Sequence, residues 1–177
     1  MSVRSSDIVP LASDLEDRHA VASSLGLARA LVRHAERAMV RSSDAVLIRG
    51  NTARILTDGP SAFDAWIAAI ESAEQWIHLE NYIVRNDRMG RRFRDLLAHK
   101  ASQGVKVRVL YDWVGCWATP ASFWRPLKTA GAEVRAFARP NVSEPLRVLR
   151  RDHRKVVGVD GRYASVAGMC IGDEWFG

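Results

Sequence analysis

Near its C-terminus the chain carries His153-Arg154-Lys155 with Asp160 five places on, an H-x-K-x(4)-D run that sets a nucleophile two residues from a cation. Val156, Val157 and Val159 favour a pleated, half-buried strand, and Asp160-Gly161 is a tight-turn signal. A second apolar run over residues 163–170 completes a β-hairpin. Residues two apart on a strand face the same side, so His153 and Lys155 project together while Arg154 points away. A neutral imidazole so placed can attack phosphorus and form a covalent phosphohistidine that water or an alcohol later releases. The Lys155 ammonium would balance charge on the non-bridging oxygens. Asp160 falls on the opposite face at the strand end, as an orienting or structural carboxylate. By spacing alone, the same His and Lys equally fit a solvated pair.

The elements that must hold this hairpin alternate in period. Residues 52–57 read as a strand and Asp58-Gly59-Pro60 as a turn, after which Phe63, Trp66, Ile67 and Ile70 recur at helical spacing and read as core. Strands are expected over 76–84, 105–111 and 132–137, with helices over 90–102 and 120–129 ended by Gly104 and Gly131. This β-α-β-α-β-α-β order followed by a hairpin places the chain in the α/β class, with a mixed, largely parallel sheet covered on both faces. Glu80 and Asn81 interrupt one apolar strand. Asp112 closes another at its C-terminal end, where such sheets commonly place ligands. Glu80 fits an ion pair with a buried Arg, and Asp112 fits a ligand group or a structural one. Trp113, Trp117, Phe123 and Trp124 form either packing or an apolar wall. Arg147, Arg150, Arg151 and Arg154 would concentrate an anionic substrate at the motif.

The 177 residues, 47% of them hydrophobic, suit one core better than two. Lys and Arg number 26 against 20 Asp and Glu, and the net charge of +6 favours anionic partners, lipid head groups or nucleic acid. Residues 1–12 are Ser-rich and expected to be disordered. Ser13 with Glu16 gives a capping-box signal for a helix to about residue 40, so residues 13–50 form a helix and linker and 51–177 the domain. Arg29, Arg33, Arg37 and Arg41 recur every fourth residue opposite Leu27, Leu31 and Ala38, the pattern of a solvated face or of a helix lying on a membrane. No apolar run reaches eighteen residues and no apolar secretory core opens the chain. The expectation is a cytoplasmic protein, soluble or peripheral at the inner face of a membrane. Cys116 and Cys170 lack metal-ligand spacing and are expected to be reduced. With Lys155 as the cation, neither metal nor cofactor is called for.

Residues 151–161, Arg151-Asp152-His153-Arg154-Lys155-Val156-Val157-Gly158-Val159-Asp160-Gly161, and their continuation Val166-Ala167-Gly168-Met169-Cys170-Ile171-Gly172-Asp173-Glu174-Trp175, closely resemble the signature of the phospholipase D superfamily, its cardiolipin-synthase-like branch in particular. Leu79-Glu80-Asn81-Tyr82-Ile83-Val84, Asp87 to Gly90, the run from Gly104 to Asp112 and Ala130-Gly131-Ala132-Glu133-Val134 are similar to that branch in order and spacing, so the resemblance covers residues 51–175. It implies a phospholipase-D-like α/β/α sandwich and attack by His153 on a phosphodiester, with Lys155 holding the phosphate and Asp160 supporting the motif. Arg154, Gly168 and Cys170 would fall at substrate-contacting positions. An anionic phospholipid is the implied substrate, and water or a second phospholipid's glycerol the acceptor.

Two departures accompany the resemblance. Cys170 holds a thiol where the family pattern has an Asn amide, a stronger donor to a phosphoryl oxygen. The motif also occurs once, whereas lipid-processing members carry two copies whose His residues divide the work. None of His19, His34, His78 or His99 starts another copy. Beyond the motif, Asp173 and Glu174 are the carboxylates left to orient the imidazole. The site is therefore expected to need a second half or a second copy of the chain. A homodimeric single-motif nuclease and a non-catalytic domain that binds anionic surfaces are the alternative readings.

Overall fold

The computed structural model describes residues 11–46 and 48–177, with side chains from residue 24 onward. The chain divides into two units, Met1–Arg54 and Ile55–Gly177. The first is built on helix α1 (Leu11–Ser43). Most of the segment expected to be disordered, residues 1–10, lies outside the described residues, but Leu11 and Ala12 are helical. Ser13 therefore stands inside α1 and does not cap it: Leu and Ala are strong helix formers and carry the helix past the capping signal. From residue 24 the helix is largely exposed, Leu27 and Leu31 included. At its C-terminal end the Ser42 and Ser43 hydroxyls donate to the Met39 carbonyl, and Asp44 takes a left-handed φ of 51° that breaks the helix. Among the described residues no helix is long and apolar enough to cross a membrane.

Residues 52–57 form no strand, contrary to the sequence expectation. Ile55 is exposed, and no neighbouring strand supplies the ladder that β-propensity needs to become structure. The second unit starts with α2 (Gly59–Glu71), capped by Asp58, whose carboxylate accepts the Ser61 N–H at 2.8 Å. There follow β1 (Trp76–Asn81), α3 (Arg88–Ser102), β2 (Lys106–Asp112), a 3-10 turn (Ala121–Trp124) leading into α4 (Arg125–Thr129), β3 (Glu133–Phe137), a second 3-10 turn (Pro145–Leu149), β4 (Val156–Val159) and β5 (Tyr163–Val166). The single helix expected over 120–129 is broken in two. Pro126 cannot donate within a helix and crowds the preceding turn, so the α-helix restarts beside it.

The five strands lie in the order β3-β2-β1-β4-β5. Strands β1, β2 and β3 are parallel, and β4 runs antiparallel to both β1 and β5, giving the expected mixed sheet. Phe63, Trp66 and Ile70 of α2, Phe93 and Leu97 of α3 and Leu127 of α4 pack with Ile77, Leu79, Val107, Val109, Val157 and Val159 into one core. Helices α3 and α4 share one face because β1 to β2 and β2 to β3 step in the same direction, and right-handed crossovers then lie on the same side; α2, which precedes β1, packs into the same core. The α/β class with a mixed sheet expected from the alternation is the one seen. His78, Glu80, Arg108, Leu110, Glu133 and Arg135 line an open depression on the sheet.

The β4–β5 hairpin turns through residues 160–162 with Asp160 and Gly161 at φ 51° and 68°. Its position is fixed by the Asp160 carboxylate, which accepts the backbone N–H groups of Glu74 (2.7 Å), Gln75 (3.0 Å) and Trp76 (2.7 Å) at the entrance to β1. The Glu74 N–H, followed by those of Trp76 and Gln75, holds this carboxyl below its ordinary value of 3.8. A depressed folded pKa gives stability that is complete above the unfolded value and lost as pH falls through the folded one. Thermal melts should therefore show the wild type losing stability below about pH 4. Asp160→Asn should be less stable at neutral pH and flatter over that range; parallel curves for the two proteins would contradict this role.

Candidate active site

The C-terminal half of β1 pairs with the start of β4, Glu80 facing Val156, so residues 152–155 lie at the C-terminal edge of the parallel strands. His153 and Lys155 precede β4 and are not part of it, because the strand begins only at Val156. The alternation expected to place them on one strand face therefore does not apply, and a single aromatic ring brings them together. The His153 ring lies 4.6 Å from the centroid of Tyr82 at an interplanar angle of 55°, and Lys155 Nζ lies 5.1 Å from the same centroid. Lys155 is 3% exposed and donates to the His153 carbonyl oxygen, whereas the His153 imidazole is open to solvent. An ammonium has three donors, so others remain for an anion.

Arg154 turns away from this pair. Its Nε donates to Asp152 Oδ1 at 2.9 Å and a terminal nitrogen lies 2.8 Å from Glu80 Oε1. Its charge is thus already balanced by two carboxylates. Burial, and then the hydrogen bond and charge of Asp152, raise the Glu80 carboxyl. For Asp152, burial acts upward but is outweighed by hydrogen bonds from Arg154 and Glu80, and its carboxyl falls below the ordinary range. Asp152 is itself anchored from below. Its N–H donates to Asp112 Oδ2 at 2.9 Å, while Asp112 Oδ1 accepts the Gly115 N–H at 2.7 Å. Asp112, 1% exposed, thereby fastens the segment carrying His153 to the end of β2.

Cys170 is buried close to Lys155, and burial pushes its thiol up against the opposing effects of the Ile83 backbone and the Lys155 charge. Gly168 is exposed, and a Cβ there would meet nothing within 4 Å, so packing does not require the glycine. Asp160 stands at the far end of β4 from His153. Asp173 accepts the Met89 N–H at 2.9 Å and Glu174 pairs with Arg85 at 2.8 Å. Among the described residues no carboxylate is hydrogen-bonded to the His153 ring. The geometry thus joins His153 and Lys155 at Tyr82, with Cys170 within reach of the Lys155 charge, and leaves Asp160 and Arg154 with structural partners.

Sequence reasoning missed Tyr82 as the ring that both motif side chains meet, although strand alternation from Glu80 puts it at this edge. The segment that carries it is held by Cys116, whose sulfur accepts the Val84 N–H at 3.2 Å and whose thiol burial pushes up to about 12. The Thr119 hydroxyl donates to the Val84 carbonyl alongside. Asn81, 1% exposed, has both amide atoms without a protein partner. Trp124 stacks on Tyr111 with ring centroids 4.2 Å apart, so it packs as core, whereas Trp117 is 77% exposed. Among the described residues no group of three His, Cys, Asp or Glu side chains could hold a metal.

The family model described as cardiolipin synthase, PLD-like domain matches residues 66–173. Cardiolipin synthase A of Pseudomonas putida (strain W619) is 43% identical over 128 residues, 72% of this chain and 27% of that protein. The major cardiolipin synthase ClsA of Bacillus subtilis (strain 168) is 40% identical over 129 residues, 72% of this chain and 27% of that protein. The chain therefore spans about a quarter of the length of the curated relatives it matches. Among solved structures, NucT from Helicobacter pylori superposes with a TM-score of 0.47 at 15% identity, covering 67% of this chain and 72% of that one.

Proposed function

The chain belongs to the cardiolipin synthase, phospholipase D-like domain family, and from that premise we propose that it supplies one histidine-bearing half of a phosphatidyltransferase site acting on phospholipids. The observation that supports this most is the convergence of His153 and Lys155 on Tyr82 at the C-terminal edge of the parallel strands. An imidazole nitrogen of His153 attacks phosphorus as the bond from phosphorus to the leaving alcohol breaks, and the alcohol oxygen takes a proton from a general acid. Lys155 balances the charge on the non-bridging oxygens. Water or a second alcohol then attacks phosphorus, giving its proton to the group that acted as general acid, as the phosphorus–nitrogen bond breaks and frees the imidazole. The general acid is a second histidine, brought by another motif copy in a second chain or in a further segment.

Turnover of phosphatidylglycerol vesicles, followed as loss of substrate and appearance of cardiolipin or phosphatidic acid, tests the reading. Salt-sensitive DNA cleavage without lipid turnover would instead favour the nuclease. Cys170→Asn supplies an amide donor beside Lys155 and should raise kcat/KM by roughly tenfold, the equivalent of one hydrogen bond to a charged group. An unchanged or lower value in a folded variant would mean that phosphate binding is not limited at this position.

A further inference from the structure

At the end of the sheet where His153 lies, two segments emerge side by side. The residues after β2 and those after β3 leave adjacent parallel strands, and the Trp113 N–H donates to the Phe137 carbonyl at 3.1 Å. Asp112 then draws residue 152 back to the same place. Large apolar side chains stand outward from both segments: Trp117 is 77% exposed, Val142 is fully exposed, and Leu146 and Leu149 are each 72% exposed. Scattered exposed leucines are ordinary, but a group of this size at one rim beside a functional site marks an interaction surface.

The polar residues among them are of one sign. Between residues 139 and 151 stand Arg139, Arg147, Arg150 and Arg151 against a single carboxylate, Glu144. Glu144 pairs with Arg147 at 3.2 Å, and among the described residues Arg150 and Arg151 have no carboxylate partner. Apolar side chains interleaved with arginines and accompanied by an exposed Trp suit the boundary between lipid head groups and acyl chains. There the aliphatic groups leave water and the guanidinium groups meet phosphate.

We propose that this rim, centred on Leu146 and Leu149 and including Trp117, Arg150 and Arg151, is a docking surface for an anionic lipid bilayer, seating His153 at the depth of the phosphate groups. The inference rests on the phospholipid reading of the site. Leu149 is four residues from the proposed nucleophile, so an anchor here would fix the height of the imidazole over the membrane. The occupant is a bilayer because the apolar groups come with unpaired positive charge, whereas a dry protein interface is depleted of charge at its core.

The test uses the whole chain with vesicles of phosphatidylcholine, with and without phosphatidylglycerol, scored by co-sedimentation. Turnover of a short-chain, fully soluble phosphodiester is measured in parallel. Wild type should bind the anionic vesicles, and Leu146→Ser/Leu149→Ser should weaken that binding at least about tenfold while leaving soluble turnover unchanged. Arg150→Gln/Arg151→Gln should weaken binding and reduce its salt dependence. Equal vesicle binding by wild type and both variants would overturn the proposal, as would a wild type that ignores anionic vesicles. So would a leucine variant that binds vesicles normally but drops from dimer to monomer, which would assign the surface to a second copy. A chain that binds through this rim but cleaves neither substrate would overturn the enzymatic reading and leave the surface standing.

Discussion

Replacing His153 with alanine is expected to reduce phosphodiester turnover by more than about a thousandfold while leaving the chain folded and bound to anionic vesicles at the wild-type level. The large effect follows from its proposed role, since a nucleophile that carries the covalent intermediate has no substitute among its neighbours. Lys155 is buried and already donates to the His153 carbonyl oxygen, the Cys170 thiol is raised by burial, and Tyr82 offers a ring face. The small effect on folding follows from position, because the imidazole is open to solvent and its ring contact is with Tyr82. Initial rates on vesicles, with a thermal melt of each protein, check both halves. Turnover of the alanine variant within tenfold of wild type would remove His153 from the reaction.

The second large effect is on stability and is expected at Asp112. Its carboxylate accepts one N–H from Gly115 and one from Asp152, both in buried surroundings. Asp112→Ala would leave two buried donors unsatisfied at about 1–3 kcal/mol each, roughly 2–6 kcal/mol together. That is a large share of the total stability of a domain, commonly about 5–15 kcal/mol. Because Asp152 precedes His153, the loss should reach the site as well, releasing the segment that holds the imidazole against Tyr82. Turnover per folded molecule should fall with stability, and Asp112→Asn, which keeps one acceptor oxygen, should lie between alanine and wild type. Urea unfolding of the three proteins measures the effect. An alanine variant within 0.5 kcal/mol of wild type, about the size of a neutral surface change, would show that the anchor is dispensable.

Much of the architecture was legible because it is written in local terms. The helix ended by Gly104, the helical spacing of Phe63, Trp66 and Ile70, and the Asp160-Gly161 turn each depend on a few neighbouring residues, and each recurs in the structure. What failed depended on the rest of the chain. Residues 52–57 have the composition of a strand but no partner to pair with, and Pro126 restarts a helix that composition alone would run through.

The site divides in the same way. The motif identified His153 and Lys155, but their meeting at Tyr82 arises because the chain crosses the end of β1 before entering β4, a contact between residues more than seventy positions apart. Asp160 was readable as a carboxylate away from the imidazole, yet its three backbone partners at residues 74–76 lie in another element. The pairing of Glu80 with an arginine agrees with the bland expectation for a carboxylate interrupting an apolar strand, and that arginine is Arg154, which the family resemblance, not the spacing, set at a substrate-contacting position.

The central claim is that phosphorus becomes bonded to His153. Its most direct test is mass spectrometry of the chain quenched in alkali during turnover of phosphatidylglycerol, because a phosphorus–nitrogen bond to imidazole survives alkali better than acid. The account predicts a phosphatidyl adduct that maps to the peptide carrying His153 and is absent from His153→Ala. Steady turnover with no adduct, or an adduct on any other residue, would contradict it.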